Sequence, residues 1–267
     1  MRLPRVLLVA LAFALALPWL TLEAARSIVP GAQGPLIEEA KIRGTSFGRR
    51  KAYRAPRNLG EQRLLHMPRF GVFGDQITRT YYTLGAQSPH ERPVIILLHG
   101  AGRDGRAMLD MWKGVLDDHD FILIAPNSER AQGWNLIEDA AFVSTNLLED
   151  AARFYPIDRN RVYLAGHSMG GKFALRLANL GIGDWEAVSV HAASLWRNSI
   201  WPSKNRIPVQ MFFGDDDRVF TPNSVRSTAK RLSQAGHSVR LIEVSNHTHW
   251  YYSIAPQLAL RSIAFFR

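Results

Sequence analysis

Short apolar runs alternate with amphipathic stretches along the chain from about residue 65 onward. Continuous runs of Val, Ile, Leu and Phe predict buried strands, and apolar residues at helical spacing between them predict helices. The predicted strands cover 80–84, 94–98, 121–125, 162–165, 187–190, 209–213 and 239–244, and the predicted helices cover 106–118, 138–155, 173–180, 223–235 and 253–266. This alternation predicts an α/β fold, with a mostly parallel central sheet and helices on both of its faces.

Residues 1–25 follow a different pattern. Arg2 and Arg5 precede an apolar run over Val6–Leu20, and two alanines follow shortly after it. A basic start, a hydrophobic stretch and small residues are typical of a secretory signal peptide. The run is short for a membrane span of about 20 residues, which favours cleavage, and an uncleaved N-terminal anchor is the alternative. We therefore expect an exported protein, periplasmic or extracellular.

Positive charge is concentrated near the N-terminus. The chain has a formal net charge of +10, and residues 1–64 hold 11 Lys or Arg against four Glu. Residues 26–64 contain few large apolar side chains and several Gly and Pro, so we interpret them as a basic, flexible linker. Such a segment favours weak contact with anionic envelope surfaces, and a solvated tail is the alternative. No groove-binding motif is present, so we expect no nucleic-acid partner.

The amino-acid composition excludes several kinds of site and is consistent with a globular domain. The sequence contains no cysteine, which excludes disulfides, a thiolate nucleophile and a thiolate metal site. About half of the residues are hydrophobic (46%), which is enough for a sizeable core. The sequence shows no internal repeat and no sign of a second domain. We therefore interpret residues 65–267 as one catalytic domain.

The most informative motif is Gly166-His167-Ser168-Met169-Gly170. It lies between a predicted strand and a predicted helix, which is the arrangement of a nucleophile elbow. The sharp turn raises the Ser168 hydroxyl clear of the sheet, and a Cβ at either flanking glycine would collide with a neighbouring element. Met169 opens the helix, so its N–H is expected to donate to an oxyanion beside Ser168. A glycine-rich turn that only packs tightly is the alternative.

A serine nucleophile needs a base, and the base needs an acid that orients it. In this architecture both follow the serine in the chain, the acid first. Three aspartates, residues 215–217, follow the strand at 209–213. The spacing from Gly214 to the acid and on to an apolar anchor at Phe220 selects Asp217. Asp215 and Asp216 are then expected to be turn residues.

Two histidines compete for the base. Both His247 and His249 follow the strand that ends at Val244, and His249 directly precedes three aromatic residues at the start of the last helix. That position favours His249, with His247 as the alternative. A His-x-His pair also binds metals in some proteins. Here the nearest carboxylates are those that the acid position needs, so we expect no metal and no cofactor.

A second oxyanion donor is expected after the strand at 94–98. His99-Gly100-Ala101-Gly102 forms a turn there, and the N–H after the first glycine, that of Ala101, is the predicted donor. We expect His99 to brace this loop. His167 is expected to pack within the elbow, His191 to lie in the core or at the pocket rim, and Trp134 to form a substrate wall or to cap the core.

Together these motifs resemble the α/β-hydrolase fold. Residues from about 78 to 267 resemble the secreted esterases that include polyhydroxybutyrate depolymerases and feruloyl or acetylxylan esterases. The resemblance rests on Leu98–Gly102, on Tyr155-Pro156-Ile157-Asp158 with Arg161-Val162-Tyr163, on the serine motif and on the Asp217 and His249 loops. It implies an exported serine hydrolase that cleaves carboxylic esters, small or polymeric, through an acyl-enzyme. A serine peptidase or amidase and a non-catalytic binding protein with the same fold are the alternatives.

Overall fold

A computed structural model describes residues 37–44, 53–69, 74–85 and 88–267. Within these residues nine strands form one sheet. They are β1 (Ile37–Arg43), β2 (Glu61–Pro68), β3 (Gln76–Leu84), β4 (Arg92–Leu98), β5 (Ile122–Pro126), β6 (Ile157–His167), β7 (Ala187–His191), β8 (Pro208–Gly214) and β9 (Ser238–Ser245). The signal peptide or anchor expected at 1–25 lies outside the described residues, and so do residues 26–36 and 45–52 of the expected linker.

The helices lie close to the predicted ranges. They are α1 (Gly105–Trp112), α2 (Leu136–Ala141), α3 (Leu147–Ala151), α4 (Met169–Leu180), α5 (Pro222–Gln234) and α6 (Ala255–Phe266). The α-helix predicted over 106–118 ends at Trp112 and continues as a 3₁₀ helix over Lys113–Asp117. The helix predicted over 138–155 is divided by a π turn at Phe142–Asn146. Side-chain caps fix several starts. For example, Asn135 accepts the Ile137 N–H at 2.7 Å, which satisfies a donor left free at the start of α2.

The sheet confirms the predicted fold class. Its strand order is β1-β9-β8-β7-β6-β4-β5-β3-β2, and only the β2–β3 and β3–β5 pairs are antiparallel. One face packs against α1 and α6, and the other against α2 to α5. Strands β4 and β5 are buried along their whole length, as continuous apolar runs require. Among the described residues no helix is long and apolar enough to cross a bilayer.

The flexible linker expected over residues 26–64 is wrong for Ile37–Arg43. These residues form β1, an edge strand that pairs in parallel with β9 from Ile37↔Val239 to Arg43↔Ser245. The backbone ladder holds the strand in place, because the ion pairs beside it are largely exposed and contribute little. Charged side chains on an edge strand also block further pairing, which fits the Glu, Lys and Arg content of β1. The linker is also wrong for residues 61–64, because β2 begins at Glu61 and pairs with β3 across the predicted boundary at 64/65. The boundary at 25/26 stays a prediction.

Candidate active site

Ser168 lies on a strained turn between β6 and α4. Its backbone has φ 56° and ψ −118°, a combination that a residue with a side chain rarely adopts. A Cβ on Gly166 would lie 2.7 Å from the Gly170 backbone, and one on Gly170 would lie 2.1 Å from the Leu98 carbonyl oxygen. Only glycine fits at both positions, as the motif predicted. The crowding on both sides holds the turn in place, and Ser168 is buried.

The structure brings Ser168, His249 and Asp217 together. The Ser168 hydroxyl lies 2.9 Å from His249 Nε2, and His249 Nδ1 lies 2.8 Å from Asp217 Oδ2. Because a carboxylate only accepts hydrogen bonds, His249 carries its proton on Nδ1 and leaves Nε2 free to accept from Ser168. The three side chains come from the carboxyl ends of β6, β8 and β9, the edge where α/β sheets bind ligands.

Asp217 is oriented by backbone donors. Its carboxylate is fully buried, and Oδ1 accepts the N–H groups of Val219 at 2.8 Å and Phe220 at 3.0 Å. Oδ2 is therefore the oxygen that faces His249. The Phe220 ring stacks on the His249 ring at a centroid distance of 5.7 Å. The apolar anchor predicted at this position thus packs on the base and fixes the plane of its ring.

Close contacts join the loop after β8 to the loop after β9. A Cβ on Gly214 would lie 2.1 Å from the His247 carbonyl oxygen, so the two backbones touch at that glycine. Asp215 Oδ1 accepts the His247 N–H at 3.1 Å, and the Asp216 N–H donates to the His247 carbonyl at 3.0 Å. The aspartates expected to be turn residues therefore also fix the loop that carries His249.

The two predicted oxyanion donors, Met169 and Ala101, lie in the segments that flank Ser168. Met169 is the first residue of α4, so its N–H has no acceptor within the helix. Ala101 follows Gly100, where a Cβ would lie 3.4 Å from Ser168 Cβ. The turn after β4 therefore runs directly against the turn that carries Ser168.

His99 braces this turn, as expected. Its Nδ1–H donates to the Gly100 carbonyl at 2.8 Å, and its Nε2 accepts the Ser128 N–H at 3.1 Å. Burial lowers the pKa of His99, so the ring stays neutral in the tautomer that these two bonds require. Trp134 donates to the His99 carbonyl at 2.9 Å and stacks on Phe173. Trp134 therefore supports the turn and the core on the same side of Ser168.

His247 does not contact Ser168. Instead, His167 Nδ1 lies 3.0 Å from His191 Nδ1, and His191 Nε2 lies 2.9 Å from His247 Nε2. Burial lowers the pKa of His167 and His191 well below the ordinary value, and it lowers the pKa of His247 to about 4. All three rings are therefore neutral near neutral pH. We name these residues the histidine chain.

Sequence reasoning treated the members of the histidine chain separately and missed that they interact. A usable signal was present, because His191 directly follows a predicted strand and His167 follows another after a single glycine. In the sheet they are register partners on the neighbouring strands β6 and β7, so their side chains point to the same face at the same level. Tyr251 was missed as well. Its ring stacks on both His167 and His191.

No three His, Asp or Glu side chains in the described part of the chain are arranged to hold a metal ion. In the histidine chain the ring nitrogens face one another at hydrogen-bond distance. Their lone pairs are therefore used within the protein and do not converge on a common point, as the tetrahedral arrangement of a zinc site would require.

Comparisons with known proteins agree with this architecture. The chain matches the Dienelactone hydrolase family over residues 134–257, a segment that includes Ser168, Asp217 and His249. It is 26% identical over 156 residues to the bifunctional acetylxylan esterase/xylanase XynS20E of Neocallimastix patriciarum, which covers 54% of this chain. The chain spans only 22% of the length of that relative.

Solved structures share the fold at lower identity. A CE1 ferulic acid esterase from Anaeromyces mucronatus, in complex with ferulic acid, has a TM-score of 0.62 at 14% identity, covering 80% of this chain and 92% of that one. The acylaminoacyl peptidase of Pyrococcus horikoshii has a TM-score of 0.55 at 13% identity, covering 78% and 41%. The predicted resemblance to esterases is confirmed at the level of the fold and of the matched relatives. This protein therefore has the α/β-hydrolase fold, with esterases among its relatives in sequence and in structure.

Proposed function

We propose that this protein is an exported serine hydrolase that cleaves carboxylic esters through an acyl-enzyme on Ser168. The observation that carries the proposal is the continuous hydrogen-bond path from the Ser168 hydroxyl through His249 to the buried Asp217. A serine hydroxyl on a strained turn, next to an imidazole whose free nitrogen faces it, has the geometry of an activated nucleophile. No cofactor takes part in this chemistry.

In the proposed reaction His249 Nε2 takes the proton of Ser168 while Oγ forms a bond to the ester carbonyl carbon. The carbonyl oxygen becomes an oxyanion, which the N–H groups of Ala101 and Met169 stabilise. As the intermediate collapses, the bond to the alcohol oxygen breaks and His249 returns its proton to that oxygen. Water then attacks the acyl-enzyme by the same route, which releases the acid and restores Ser168.

Each part of the site has a distinct energetic task. Asp217 keeps the Nδ1 proton in place and stabilises the imidazolium that forms on His249. Loss of one oxyanion donor costs on the order of 3 kcal/mol of barrier in serine hydrolysis, so Ala101 and Met169 together supply a large share of the rate. Both donors are backbone groups, one at the start of α4 and one in the turn that His99 braces, so they need little reorganisation when the charge develops.

The substrate is proposed to be an ester, small or polymeric. Support comes from the names of two relatives, an acetylxylan esterase/xylanase and a ferulic acid esterase. The fold is also that of an acylaminoacyl peptidase, so a peptidase or amidase is the second candidate. The same constellation serves both reactions, and the leaving group decides between them. Turnover of p-nitrophenyl esters well above that of matched p-nitroanilides would favour the esterase.

The main test is an ester panel with acetyl, butyryl, feruloyl and hydroxybutyrate substrates, run on the wild type and on Ser168→Ala. Removal of the nucleophile from a working site lowers kcat on the order of a millionfold. Ser227→Ala, on the exposed face of α5 where the hydroxyl accepts from Arg231, is the control and should keep near wild-type activity. A decrease of only a few-fold for Ser168→Ala would refute the assignment. Failure of a fluorophosphonate probe to label Ser168 in folded protein would favour a non-catalytic binding protein.

Export is proposed from residues 1–25 alone. Their basic start and apolar run are typical of a signal peptide, and the basic residues that follow favour weak contact with anionic envelope surfaces. Fractionation of expressing cells, with mass spectrometry of the mature N-terminus, would separate a cleaved signal peptide from a retained anchor. Recovery of the full-length chain only in the cytosol would contradict export.

A further inference from the structure

The proposed reaction does not use the histidine chain, yet these rings are among the most buried in the molecule. His167, His191 and His247 are 7%, 2% and 4% exposed. Three imidazoles removed from water and bonded mainly to each other are an expensive arrangement, because each polar nitrogen must find a partner inside the protein. Their position next to the reacting groups suggests what this arrangement does.

The histidine chain connects the turn that carries Ser168 to the loop that carries His249. His167 immediately precedes Ser168, and His247 lies two residues before His249. His191, at the end of β7, lies between them, and its backbone carbonyl also accepts the Ser168 N–H at 3.0 Å. The turn that carries the nucleophile and the loop that carries the base are thus joined through one central ring.

Hydrogen-bond chemistry makes the three rings act as a unit. A contact between two ring nitrogens needs one N–H and one lone pair. The neutral His191 ring uses both of its nitrogens, so it donates to one neighbour and accepts from the other. Whichever nitrogen of His191 carries the proton, the tautomers of His167 and His247 follow from that choice. One ring therefore sets the tautomers of all three.

Burial keeps the histidine chain neutral beside His249. The centroids of the His167 and His249 rings are 5.0 Å apart, and the positive charge of Arg103 also disfavours a proton on His167. Asp217 and Asp215 face His247 and favour a proton there, but burial outweighs them and lowers the pKa of His247. Tyr251 stacks on His167 and His191 as an uncharged ring, and its hydroxyl accepts from Trp112 Nε1 at 3.0 Å. A proton held on the chain would repel the imidazolium that must form on His249.

We propose that His167, His191 and His247 are positioning residues: a neutral imidazole chain that holds Ser168 and His249 at hydrogen-bond distance without adding charge beside the base. The proposal rests on the proposed function, since it assigns a role in that reaction. None of the three contacts the reacting atoms, so their effect passes through the placement of Ser168 and His249.

The hydrogen bonds of the histidine chain can be tested without any substrate. In protein labelled with ¹⁵N-histidine, we expect nitrogen–nitrogen couplings across both N–H···N bonds, and chemical shifts of neutral rings from pH 5.5 to 8. The couplings should vanish in His191→Phe. Three imidazoles that titrate independently near pH 6.5 without couplings would overturn the proposal, whatever the activity of the protein.

The positioning role is tested with His191→Phe and His191→Gln. The Phe variant keeps a ring for Tyr251 to stack on but loses both hydrogen bonds. We expect kcat and the rate of fluorophosphonate labelling of Ser168 to fall about 10- to 100-fold, with KM within about threefold, because small displacements of reacting groups have effects of this size. The Gln variant keeps a donor and an acceptor, and it should recover part of the loss.

His237→Phe is the matched control. His237 is equally buried but does not belong to the histidine chain, and its Nδ1 lies 3.2 Å from the Ile207 carbonyl. It should keep kcat and the labelling rate within about twofold, even if it lowers the thermal midpoint as much as His191→Phe does. Wild-type labelling by folded His191→Phe would overturn the proposal. If the wild type labels but hydrolyses no ester, the proposed ester substrate fails, and the labelling rates still decide the positioning role.

Discussion

Replacement of Asp217 by Asn is expected to abolish most activity while the fold stays intact. The reason lies in the two backbone N–H groups, from Val219 and Phe220, that donate to Oδ1. In the Asp217→Asn variant these donors keep the amide oxygen on their side, so the amide NH₂ faces His249. His249 Nδ1 must then accept and its proton moves to Nε2. That nitrogen points at Ser168 and can no longer take the hydroxyl proton.

The size of the effect follows from the cost of turning the amide around. The flipped amide would restore the active tautomer, but its NH₂ would face two buried N–H donors. Each unsatisfied buried donor costs about 1–3 kcal/mol, so the flipped form lies about 2–6 kcal/mol higher. It is then populated at about 3% or less. We therefore expect kcat to fall at least about 30-fold, and up to about 10⁴-fold where the wrong tautomer dominates, the size of the effect in a serine protease that uses Ser, His and Asp.

The assay is steady-state hydrolysis of p-nitrophenyl acetate, with thermal unfolding measured in parallel. Asp216→Asn is the control, because the Asp216 side chain is half-exposed and pairs only loosely with Arg218. It should keep kcat within about twofold. A decrease of less than tenfold for Asp217→Asn, with unfolding unchanged, would refute the argument that Asp217 sets the tautomer of the base.

Three further predictions concern stability. Gly170→Ala should lower the free energy of unfolding by about 3 kcal/mol or more, because the new Cβ would lie 2.1 Å from the Leu98 carbonyl oxygen. As pH falls from about 6.5 to about 4, His247 should take up a proton in the unfolded state before the folded state, since its pKa is lowered to about 4. The free energy of unfolding should fall by about 3 kcal/mol from this residue over that window. Arg79→Met should cost about 3–5 kcal/mol, because it leaves the fully buried Asp139 carboxylate without its cation.

Urea denaturation measures all three, and each has a matched comparison. Gly114→Ala should be near neutral, since a Cβ there meets nothing within 4 Å. His247→Gln should show a weaker loss of stability with acid than the wild type. Arg130→Met removes an exposed ion pair with Glu138 and should cost less than about 1 kcal/mol. Equal effects within any of these pairs would contradict the stated cause.

Much of the fold was predictable because its signals are local. Strand β5 and residues 93–98 of β4 are apolar throughout, and both faces of the sheet are covered as such runs require. The elbow was predictable for a related reason: Gly166 and Gly170 occur where backbones approach too closely for any Cβ. These constraints act between a few neighbouring residues, so the sequence displays them directly.

Contacts between distant segments were not predictable in the same way. Strand β1 pairs with β9, about 200 residues later in the chain, and its mixed charge pattern resembles a solvated linker. His191 was expected in the core or at the rim, and nothing in its neighbourhood along the chain indicates its bonds to His167 and His247. Edge pairing and side-chain hydrogen bonds depend on which elements become neighbours, which periodicity does not specify.

The sequence by itself determined the α/β class, the strained turn at Ser168 and a short set of candidate acids and bases. Only the tertiary structure decided that His249 faces Ser168 and Asp217 while His247 joins the histidine chain. The physical reason is range and direction. A hydrogen bond requires about 3 Å and an aligned lone pair, and two histidines separated by a single residue can meet entirely different partners once their loop is fixed.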